Sequence, residues 1–89
     1  MKLVVTIFGK DQVGIIAKVS TILADSNMNI VSVKQNIVDG FFNMVMMAEA
    51  MDNKVQLPEV QKLMKAKGEE LNLDIKIQNA EIFTAMHRV

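Results

Sequence analysis

The residues of this chain best placed to do chemistry are Asp11, Gln12, Val13, Gly14 and Ile15, where an apolar run gives way to a helical stripe. Their spacing is Asp-x-x-Gly. Asp11 offers a short acceptor of the kind that caps the free amides of a first helical turn. Gly14 carries no Cβ, so backbone or a bound group can approach it closely. A strand, a short loop and a helix start in succession aim several unpaired N–H groups and the positive helix end at one spot. Such a spot can hold a small anion such as a carboxylate. It can equally be a capped turn with nothing bound, and spacing alone leaves both open.

Other chemistries find little support. There is no Cys, so neither a disulfide framework nor a thiolate metal site can form. His87 is the single His, too few for a metal cluster or a catalytic triad within one chain. Arg88 is the single Arg and lies far from the first loop, where a phosphate-binding enzyme of this topology would need it. Ten basic residues cancel ten acidic ones, without the basic excess usual in nucleic-acid binders. Base stacking would rest on Phe8, Phe41 and Phe42 alone. No catalytic apparatus, metal, cofactor or nucleic-acid partner is therefore expected.

The elements that position the loop follow from periodicity. A strand is expected from Lys2 to Gly9, with Leu3, Val5 and Ile7 on one face and Val4 and Phe8 on the other. A helix from Val13 to Ser26 carries the stripe Ile15, Ile16, Val19, Ile22 and Leu23, and Asn27-Met28-Asn29 ends it. The second strand, Ile30 to Val38, sets Val31, Val33 and Ile37 against Ser32, Lys34 and Asn36, as an edge strand does. Asp39-Gly40 is a strong hairpin signal before a third strand, Phe41 to Ala50. Met44, Met46 and Met47 on that strand are core filler or an adaptable contact surface.

A second helix is expected from Leu57 to Glu70, with Pro58 in its first turn, the stripe Val60, Leu63 and Met64, and Gly68 as a possible early end. A fourth strand, Leu73 to Asn79, alternates as an edge, and Ala80 to Arg88 reads as a short terminal helix with Ile82, Phe83 and Met86. The order βαββαβ, with strands one and three apolar on both faces, defines an α+β, ferredoxin-like sandwich. It has a four-stranded antiparallel sheet with two helices on one face.

The run Val4-Val5-Thr6-Ile7-Phe8-Gly9-Lys10-Asp11-x-x-Gly14-Ile15-Ile16-Ala17, followed by Leu23-Ala24 and Met28-Asn29-Ile30, resembles the ACT domain. That domain is the amino-acid-binding regulatory module of many metabolic enzymes. The resemblance spans nearly the whole chain, so residues 1–89 are expected to form a single ACT domain. It is nearest to stand-alone ACT domains of bacteria and archaea, which are related to those of the glycine-cleavage regulator. ACT domains pair, and the resemblance implies a ligand at a homodimer interface. Amides around Val13 to Ile15 would take its carboxylate, Asp11 its ammonium, and Asn29 would bridge to the neighbouring subunit, with Gln12 and Gly14 lining the loop. The alternative is a ligand-free module that docks on another protein through strand three and the tail.

Bulk composition agrees with pairing. In 89 residues, 51% of them apolar, part of the apolar surface is expected to stay outside the monomer core and favour self-association. No long apolar run or leader pattern stands out, so a cytoplasmic protein with no membrane segment is expected.

Overall fold

A computed structural model describes residues 1–52 and 54–80. The elements are β1 (Lys2–Lys10), α1 (Ile15–Asp25), β2 (Met28–Val38), β3 (Phe41–Ala50), α2 (Leu57–Leu71) and β4 (Leu73–Asn79). The sheet is antiparallel with order β2-β3-β1-β4, so the two strands that read as apolar on both faces are the central pair. The terminal helix expected over Ala80 to Arg88 lies outside the described residues beyond Ala80. No helix among the described residues is long and apolar enough to cross a membrane.

The core lies between one sheet face and the two helices. Leu3, Val5 and Ile7 of β1 meet Phe42, Met44, Met46 and Ala48 of β3, under Ile15, Val19 and Leu23 of α1 and Val60 and Met64 of α2. Met44 and Met46 are buried here as filler, so they offer no contact surface to a partner. Register leaves Val4, Thr6, Phe8, Val45 and Met47 on the face opposite α1 and α2.

Several boundaries differ from expectation for local reasons. β2 starts at Met28, because Asn27 in the left-handed conformation (φ 60°) reverses the chain in one residue. Val31 is the extra residue of a β-bulge between Ile30 and Ser32, so it does not share a face regularly with Val33 and Ile37. Val33 and Ile37 sit opposite Met46 and Phe42, on the helix side, yet remain 41% and 53% exposed at the sheet edge. Leu63 is exposed, leaving α2 a narrow buried stripe of Val60, Met64 and Gly68. Gly68 does not end the helix. A Cβ there would come within 2.8 Å of the Leu73 carbonyl oxygen, so glycine is what lets α2 pass close over the start of β4.

Candidate functional site

The loop between β1 and α1 is tied down on both sides. The Asp11 amide donates to the Gly40 carbonyl at 2.8 Å, joining it to the β2–β3 turn. That turn has positive φ at both Asp39 (51°) and Gly40 (79°), as the Asp-Gly pair demands. The Gln12 side-chain amide donates to the Leu71 carbonyl at 2.9 Å, satisfying an acceptor at the C-terminus of α2. Gln12 is therefore a strut between loop and helix.

Asp11 does not cap α1. The N-cap is Gly14, at φ 84° and ψ 12°, with no side-chain hydrogen bond to the first turn. A glycine that adopts the left-handed region turns the chain directly into the helix and leaves Asp11 too far back to reach its amides. The first helical bond runs from the Lys18 amide to the Gly14 carbonyl at 3.0 Å. The amides of Ile15, Ile16 and Ala17 thus precede the intrahelical ladder. No acidic residue lies in the first turn to offset the positive helix end. Ile15 turns its side chain into the core and contributes only backbone, while Val13 is 95% exposed. Lys18 was not among the expected residues, although its place one turn after Gly14 is legible. Its Cε lies 3.7 Å from where a Gly14 Cβ would stand, which sets a lysine side chain beside the loop.

Asn29 is exposed at the start of β2 and paired with Glu49. The loop is at the other end of the sheet, because Lys10 pairs with Phe41 at the opposite end of β3. At about 3.3 Å per residue, the two are separated by roughly 25 Å within one chain. The structure brings Asp11, Gln12, Val13, Gly14 and Ile15 together and does not bring Asn29 to them. Near Asn29's end of the fold, a concavity of about 300 Å³ lies between α1 and α2. Its Asp52 is already engaged, accepting from the Asn27 side-chain amide at 2.6 Å and the Lys54 backbone amide at 2.8 Å. That carboxylate organises the turn.

Comparison with known proteins places these features in a family context. The family model of the ACT domain matches residues 1–78. A UPF0237 protein of Listeria innocua is 48% identical over 89 residues, covering 100% of both chains. Among solved structures, an ACT domain protein from Streptococcus pneumoniae superposes with a TM-score of 0.82 at 34% identity, covering 93% of each chain. A protein named as a glycine cleavage system transcriptional repressor shares the fold with a TM-score of 0.76 at 19% identity, over 86% of this chain and 44% of that one.

Proposed function

We propose, from the premise that this chain belongs to the ACT domain family, that it senses an amino acid at the interface of a homodimer. The ACT domain is a regulatory ligand-binding domain, and the finer reading rests on the uncapped start of α1. Its free amides, the helix dipole and Lys18 make the Gly14 end of the helix attractive to a carboxylate. Asp11, released from capping, is available for an ammonium.

The position of Asn29 supports the pairing. β2 is an edge strand with Val31, Val33, Ile37 and Val38 exposed, a surface that invites further strand pairing. When a strand pairs with its own copy about a two-fold axis, the two run antiparallel. The start of β2 in one copy then lies beside the end of β2 in the other. That end is where the β2–β3 turn holds Asp11. The 25 Å separation within one chain (about eight residues of strand) is closed by the second copy. The ligand carboxylate goes to the amides of Val13 to Ile15, its ammonium to Asp11, and Asn29 of the second copy bridges across.

Titration calorimetry with the common amino acids tests this reading. At least one is expected to bind with micromolar to millimolar affinity, about −4 to −8 kcal/mol. Asn29→Ala should weaken it about tenfold, the value of a lost hydrogen bond to a charged or polar partner. Unchanged affinity in Asn29→Ala would show that the ligand does not lie at a β2–β2 interface.

A further inference from the structure

The sheet face opposite α1 and α2 is not uniformly polar. Phe8 on β1 and Phe41 on β3 are 50% and 48% exposed, with ring centroids 5.8 Å apart and planes 2° from parallel. Register puts Lys10 directly beside Phe41 and Asp74 directly beside Phe8. The α2–β4 junction closes the far side with Glu69 and Leu73, leaving a concavity of about 550 Å³. That volume lies in the ~300–1,000 Å³ range of small-molecule sites.

The charges around it are unevenly committed. Asp74 has Lys76 at 4.0 Å, whereas among the described residues neither Lys10 nor Glu69 has an opposite charge within 4.0 Å. An aromatic wall is thus flanked by one uncommitted ammonium and one uncommitted carboxylate. A phosphate-bearing ligand would meet two carboxylates for a single ammonium there, and a purely apolar one would leave both charges unused. A zwitterion matches both, and an aromatic ring matches the wall.

We propose that this concavity is a second ligand site, for an aromatic α-amino acid or a zwitterion of like shape. The ring lies against Phe8 and Phe41, the carboxylate meets Lys10, and the ammonium meets Glu69. The site is complete within one chain and rests on no part of the loop reading.

The test is titration of the ¹⁵N-labelled full chain with L-phenylalanine to about 20 mM, a concentration that reaches millimolar affinities. Saturable shifts are expected at the amides of Lys10, Glu69 and Asp74, and should persist in Asn29→Ala. Lys10→Gln and Glu69→Gln, both at exposed positions, should each weaken binding about fivefold. 3-Phenylpropionate, which lacks the ammonium, and phenethylamine, which lacks the carboxylate, should be weaker by a similar factor. Shifts confined to Val13–Ile15, absence of saturation, or wild-type affinity in both charge variants would overturn the proposal. Loss of all binding in Asn29→Ala would do so too, while leaving the loop site standing.

Discussion

Gly14 is the residue on which the loop turns, and its conformation rather than its size makes it hard to replace. At φ 84° a Cβ meets open space apart from Lys18, so the cost of a side chain is backbone strain. Gly14→Ala should lower stability by about 1 kcal/mol, and Gly14→Asn by less, because Asn tolerates the left-handed region. Urea denaturation of the two variants measures the difference. A second prediction concerns Glu70, whose hydrogen bond and ion pair with Lys67 at 2.7 Å hold its carboxyl below the ordinary glutamate range. A depressed carboxylate pKa contributes stability that is complete above the unfolded value and lost as pH falls through the folded one. In a ¹³C titration, Lys67→Met should move the Glu70 midpoint upward. Gly14 was legible as a turn residue. That it would displace Asp11 as the cap was not, since both residues satisfy local capping preferences.

At the scale of elements, the sequence reported what is local and missed what depends on a distant partner. The Asp39-Gly40 turn and the central placement of β1 and β3 were readable, because turn chemistry and two-faced apolarity are written in neighbouring residues. The bulge at Val31 was not, because the pattern alternates plausibly on both sides of the slip. The Gln12–Leu71 strut links residues far apart in sequence, and no short-range signal announces it. Gly68 looked like a weak point in a helix and is instead a contact point. Gly68→Ala should destabilise the protein by about 1–3 kcal/mol through its clash with the Leu73 carbonyl. An exposed-helix Gly→Ala change would be stabilising, so the sign seen in thermal denaturation decides the matter.

For the whole molecule, the partner of the β2 edge decides whether the proposed site can form. Its long, nearly all-exposed edge carries Val33 and Ile37, and a charge placed on such an edge blocks pairing. Val33→Lys with Ile37→Lys should convert a dimer into a folded monomer in sedimentation at tens of micromolar, with near-native circular dichroism. A wild-type monomer at that concentration would contradict the homodimer. The candidate site was half legible: Asp11 to Ile15 lie in one stretch of chain, whereas Asn29 lies at the other end of the sheet and would join them only in the proposed dimer. The most direct test of the central claim is the melting temperature of the wild-type protein against a panel of free amino acids. A ligand present at about ten times its Kd adds roughly 1.4 kcal/mol. For a domain of this size that raises the midpoint by about 5 °C or more. Such a rise is expected for at least one amino acid, and its disappearance in the Val33→Lys/Ile37→Lys variant. No rise with any amino acid at tens of millimolar would contradict it.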